Sequence, residues 1–148
     1  RRGDEVTVID AGAGSAFGPS LGRIAPSLAA MGIAPGAVTR VVATHMHPDH
    51  VGGLVTDAGA VFPAAALHVP AADLAFWTDE TIAGGAPDDA KPFFALARSV
   101  AAAYGDRVMP FDGEADLGGG LTAIAMPGHT VGHTGYRVSA GSDQLIIW

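Results

Sequence analysis

The chain has 148 residues, 49% of them apolar and 16% charged, so it holds one domain or part of one and can bury a sizeable core. Fifteen Asp and Glu against eight Lys and Arg leave a formal charge of −7, which argues against nucleic-acid phosphate and against anionic lipid as partners. With no cysteine, disulfide scaffolds, thiolate metal sites, iron–sulfur clusters and thiol nucleophiles are excluded.

No apolar run reaches the roughly 18 residues of a membrane span. Arg1 and Arg2 are followed by Gly3, Asp4 and Glu5, not by the apolar stretch of a signal peptide. The chain does not begin with Met, so both a cytoplasmic and an exported, periplasmic location stay open. Residues 5–10 read as a strand through Val6, Thr7, Val8 and Ile9, and residues 11–19 as a Gly-rich loop. Residues 20–31 read as helical, with Pro26 either in a first turn or breaking the helix, and with Gly32 as the stop. A short apolar strand over 39–43 leads into a polar, Gly-containing loop over 44–53. A strand over 67–69, a helix over 71–77 and a loop over 78–87 follow. Asp88 or Asp89 is expected to cap a longer helix running to Tyr104, with Pro92 in its first turn and Gly105 ending it. Residues 108–111, 121–126, 136–138 and 145–148 read as strands. The mixture makes the class α/β or α+β, a sheet covered by helices.

The chemistry is concentrated in Thr44-His45-Met46-His47-Pro48-Asp49-His50-Val51-Gly52-Gly53, where three of the six histidines and one Asp fall within six residues. Imidazoles with a carboxylate suit zinc or a similar divalent ion. The spacing is not the i, i+4 of a helix, and in a loop His45 and His47 can face one way while Asp49 and His50 face another. Such a loop can serve two adjacent metals. The alternative, a polar loop that merely happens to be His-rich, fits poorly with the apolar strand before it and the glycines after it. A second loop, Pro127-Gly128-His129-Thr130-Val131-Gly132-His133-Thr134, follows another strand. His129 there completes a three-His set, and His133 is either a hydrogen-bonding support for the loop or a further ligand. Asp10, at the end of the first strand, either braces a ligand histidine or its loop, or is a plain turn residue. The glycines after it match neither GxxxxGK[ST] nor GxGxxG. His68 reads as a packed strand residue, and Ser15, Ser20 and Ser27 lack a G-x-S-x-G elbow.

His45, His47, Asp49 and His50 as HxHxDH, His129 in a downstream loop and Asp10 at an early strand end together resemble the metallo-β-lactamase superfamily; Ala11 stands where that family usually has Thr. The sequence is most similar to the methyl parathion hydrolase group within it, through residues 17–23 and 44–54, Phe62-Pro63, Phe76-Trp77, residues 86–89 and Phe93-Phe94. The resemblance implies an αββα sandwich of which residues 1–148 form one partial domain, incomplete at both ends. It implies two divalent ions, zinc in the first place with manganese, iron or cobalt also admitted. His45, His47 and His129 would hold one, and Asp49 and His50 the other, with Asp49 orienting the attacking hydroxide. It implies an aromatic pocket of Phe17, Trp77 and Phe94, a small neutral ester substrate such as an aryl phosphotriester, and a homodimer. Lactones, aryl carboxyl esters, β-lactams and glutathione thioesters are alternatives on the same fold. The family pattern continues past Trp148 with a Gly-Asp pair whose Asp bridges the metals, and later with a last His. Without them the chain reads as a central piece, and a metal-binding fragment without turnover is the reading of another class. A flavin-linked redox member would need an extra carboxylate in the motif, and a nuclease a basic surface; neither is present.

Overall fold

The computed structural model describes residues 1–148. In chain order the elements are β1 (Thr7–Ile9), α1 (Ile24–Ala30), β2 (Arg40–Val42), α2 (Pro48–Val51), β3 (Val55–Thr56), β4 (Gly59–Ala60), β5 (Ala66–Pro70), α3 (Ala71–Thr78), α4 (Glu80–Gly85), α5 (Lys91–Tyr104), β6 (Val108–Phe111), β7 (Ala115–Asp116), β8 (Leu121–Ala125), β9 (Thr134–Ala140) and β10 (Asp143–Ile147). β1, β2, β5 and β6 form a parallel sheet in that order, and β10, β9, β8 and β7 an antiparallel one.

Strand side chains alternate between faces, and here both faces of the parallel sheet are covered. Val8, Val41, Leu67 and Val69 pack with Leu28 of α1, Val51, Leu54 and Phe62, and Val100 and Tyr104 of α5. On the opposite face Val42 meets Leu121, Ala123 and Tyr136 of the antiparallel sheet. The layers therefore run helices, parallel sheet, antiparallel sheet. Arg40 crosses between the sheets: it is buried, donates to Thr7 Oγ1 (3.2 Å) and the Leu117 carbonyl, and pairs with Glu5. Leu145 and Ile146 of β10 are exposed. No helix is long and apolar enough to cross a membrane.

Several sequence expectations change. The loop over 44–53 contains a helical turn, α2, because Pro48 takes the first helical position, where its missing N–H costs nothing. The loop over 78–87 contains α4, since Asp79 caps it by accepting from the N–H groups of Thr81 (2.7 Å) and Ile82 (2.9 Å). Neither Asp88 nor Asp89 caps α5; Ala90 holds the cap position without a side-chain bond, and Asp88 instead pairs with Lys91 at 2.7 Å. Pro26 does lie in the first turn of α1. The strands β3, β4 and β7 are two residues each, too short for an alternating pattern, and Gly59-Ala60 and Ala115-Asp116 also carry no β-branched residue.

One close approach seats α2 against the loop after β1. Ala11 N–H donates to the His50 carbonyl and Gly53 N–H to that of Gly12, both at 2.8 Å. A Cβ at Gly53 would run into the Ala11 carbonyl oxygen, whereas one at Gly36 would meet nothing within 4 Å. Gly53→Ala is therefore expected to lower unfolding free energy in urea by about 1–3 kcal/mol, the usual cost of overpacking. Gly36→Ala should leave the urea midpoint essentially unchanged.

Candidate metal centre

The His-rich segment leaves the carboxyl end of β2, and the His129 loop spans β8 to β9 beside it. Thr134 N–H donates to the Thr44 carbonyl (2.9 Å), and the buried Tyr136 hydroxyl to that of Ala43 (2.6 Å). These bonds bring the two loops together at the ends of the strands, where open α/β sheets collect their ligands.

Three imidazole nitrogens converge there. His45 Nε2 lies 3.1 Å from His47 Nδ1, which lies 3.2 Å from His129 Nε2, and the three fall within 4.8 Å of one another. Zinc–nitrogen bonds of about 2.0–2.1 Å at tetrahedral angles separate ligand nitrogens by about 3.3 Å. Donor type and spacing both fit a divalent ion. His45 is buried, His47 half-buried and His129 exposed, so the group opens to solvent on one side.

Asp10 sets the ring orientations. It ends β1 at φ +53°, a left-handed conformation that Asp tolerates better than most residues, and its carboxylate turns back toward β2. Oδ1 accepts the Thr44 N–H (2.7 Å), and Oδ2 accepts both the Thr44 hydroxyl (2.8 Å) and His50 Nδ1–H (2.7 Å). With its one proton given to Asp10, the Thr44 hydroxyl accepts from His45 Nδ1–H at 2.9 Å. That network assigns the Nδ1–H tautomer to His45 and His50 and leaves each Nε2 a free lone pair. His50 Nε2 then lies 3.5 Å from Oδ2 of the exposed Asp49. His133 Nδ1 donates to the Met126 carbonyl (3.1 Å), holding its own loop.

A cavity of about 440 Å³ lies over His47 and His129 and is walled by Phe76 and Trp77. Trp77 meets the His47 ring edge-on, centroids 5.1 Å apart. Phe94 is buried behind Trp77 at 4.7 Å, and Phe17 packs on Phe93 at 6.4 Å. Of the three aromatics singled out in the sequence, only Trp77 lines this cavity. Sequence reasoning missed Thr44, Phe76 and Asp73. Thr44 directly precedes the motif, and Phe76 adjoins Trp77. Asp73 is fully buried and accepts from Met46 N–H (2.9 Å) and Gly132 N–H (2.7 Å). Its one signal is a lone carboxylate in an otherwise apolar helical stretch.

Burial, and next the neighbouring histidines, pushes His45 down to about 3. Burial also lowers His47, while the bond to Asp10 raises His50. Below pH 6.5 the unfolded chain binds protons that folded His45 refuses, so its contribution to stability falls as pH drops from 6.5 toward 3. His50 acts oppositely: its contribution is full below 6.5 and is lost as pH rises through its raised folded-state value. The metal-free protein is expected to lose stability between pH 7 and pH 5, on the order of 2 kcal/mol from His45 alone. Urea midpoints measured in chelator check this, and Asp10→Asn should steepen the loss by releasing His50.

The family described as the metallo-beta-lactamase superfamily matches residues 1–147. No curated protein sequence matches significantly. Among solved structures, the chain is similar to hydrolase AbOPH of the β-lactamase superfamily (31% identity, TM-score 0.88, 97% of this chain and 51% of that one). It shares its fold with AidC, a dizinc quorum-quenching lactonase (24%, 0.87, 99% and 52%). It also shares the fold of a probable metal-dependent hydrolase from Staphylococcus aureus (23%, 0.75, 95% and 52%). The chain spans about half the length of these structures. On the family match and on the strand-end histidines, the chain belongs to the metallo-β-lactamase superfamily.

Proposed function

We propose that the full-length protein is a metal-dependent hydrolase of small neutral esters, with aryl phosphotriesters as first candidates, as in the methyl parathion hydrolase group that its sequence resembles. The observation that carries this is the three-nitrogen cluster opening into a cavity walled by Phe76 and Trp77 and lined by no Asp, Glu, Lys or Arg. A cavity without fixed charge favours a neutral substrate.

His45, His47 and His129 would hold a first divalent ion, zinc before manganese, iron or cobalt, and Asp49 with His50 belongs to a second. Bound there, such ions supply an activated water near neutral pH and polarise the substrate's P=O or C=O oxygen. Asp49, exposed beside His50, would accept a hydrogen bond from the attacking water and orient it. Trp77 and Phe76, nearly perpendicular to each other, wall the leaving group's side of the cavity, and Phe94 stiffens Trp77 from behind. Phe17 would reach the pocket only from the loop that carries it. A homodimer belongs to the same proposal. A lactonase is the second reading, favoured by the likeness to AidC, whose structure holds an N-acyl homoserine product.

Two outcomes test the proposal on the full-length protein. Zinc should bind the wild type, and His47→Ala should weaken binding by more than the roughly 10–100-fold typical of an outer partner. Competition against a chromophoric chelator measures this. In a panel of an aryl phosphotriester, an aryl acetate and an acyl homoserine lactone, the phosphotriester should show the highest kcat/KM. A lactone preference would replace the first reading with the second, and no turnover of any would overturn both.

A further inference from the structure

We infer that Asp73 is a positioning residue that sets the spacing of the histidine cluster by tying its two loops to one carboxylate. The inference rests on the metal-centre reading above. His45 and His47 come from one loop and His129 from another, so the distance between His47 Nδ1 and His129 Nε2 depends on how the loops sit relative to each other. Asp73 fixes that relation from the first turn of α3. Its Oδ2 accepts the N–H of Met46, the residue between His45 and His47. Its Oδ1 accepts the N–H of Gly132, three residues after His129 and one before His133. Each loop is thus held at its backbone within three residues of a ligand nitrogen, by the same rigid group.

Three further observations favour positioning over plain packing. Asp73 is 0% exposed, and these two N–H groups are its only hydrogen-bond partners. An apolar side chain of similar size would leave both N–H groups unpaired, so the carboxylate is the one group that joins the two loops here. Gly132 fits because a Cβ there would come within 2.7 Å of Asp73 N and 3.0 Å of Asp73 Oδ1. The loop is therefore built to approach this group closely. One helical turn on, Trp77 projects from the same side of α3 and meets the His47 ring at 5.1 Å. Helix α3 thereby holds the His47 segment twice, at the adjacent amide through Asp73 and at the ring through Trp77.

The test measures zinc affinity of the full-length protein by chelator competition, and ligand geometry by the visible absorption of the cobalt(II) form. Asp73→Asn keeps the size but turns an NH2 toward one of the two backbone N–H groups. It should weaken zinc binding by about 10–100-fold and shift the cobalt bands. Asp79→Ala, which removes the α4 cap and so costs stability without touching Asp73 or either loop, should leave affinity within about two-fold and the bands in place. If Asp73→Asn does not fold, Gly132→Ala gives the second reading: it keeps the carboxylate, pushes the loop off it, and should weaken zinc in the same direction. Wild-type affinity and spectrum in whichever of the two variants folds would overturn the inference while leaving the metal centre intact. An equal loss in Asp79→Ala would overturn it too, by reducing the effect to stability. Failure of the wild type to bind zinc would overturn the metal centre and this inference together.

Discussion

An imidazole presents a lone pair in a fixed direction when its other nitrogen is held by a hydrogen bond, and the Asp10 carboxylate enforces that condition at His45 and His50. It draws the Thr44 hydroxyl proton to itself, which makes the hydroxyl an acceptor for His45, and it takes the Nδ1 proton of His50 directly. Without this carboxylate His45 and His50 would be free to rotate or change tautomer, and the lone pairs would no longer be fixed in direction. Asp10 can do this because the chain turns left-handed at the end of β1, aiming a short side chain across to β2.

The layering explains why the site sits where it does. A parallel sheet buried on both faces puts its strand ends at one edge, where the loops after β1 and β2 emerge side by side. The antiparallel sheet brings its β8–β9 loop to the same edge because Tyr136 and Thr134 hydrogen-bond to the backbone of Ala43 and Thr44. Helix α3 closes the arrangement from the side. Burial thus assembles four chain segments separated in sequence, and hydrogen bonds orient them.

The electrostatics suit a site prepared for a cation. Burial keeps His45 neutral far below the ordinary histidine range, so a proton does not compete for its lone pair at neutral pH. Carboxylates lie near the cluster and not in the cavity lining: Asp10 bonds to His50, Asp73 to the Met46 N–H, and Asp49 is exposed beside His50. The cavity beyond is lined by aromatic, glycine, proline, threonine and valine residues besides the two histidines. Carboxylates thus sit beside the histidine cluster, and the cavity lining holds none.

Much of this was legible in the residues themselves. The HxHxDH spacing, the later His129 and the Asp10 strand end are local patterns, and each follows a β-branched or apolar strand that sets its direction. Helix α5 and the parallel strands were equally plain, since periodicity and β-branching are also local. What the sequence could not reveal depends on distance through space. Nothing near Asp73 or Gly132 in sequence says that they touch. The Thr44 hydroxyl is unremarkable until Asp10 is seen beneath it, and Phe17 and Phe94 look equivalent to Trp77 until packing buries one and turns another away. The motif spacing pointed to a cluster of histidines at strand ends, and the resemblance of those motifs pointed to the superfamily. Only the tertiary structure decided which nitrogens face one another, which aromatics wall the cavity and which carboxylate joins the two loops, because those relations are made by side-chain packing between segments that have no proximity along the chain.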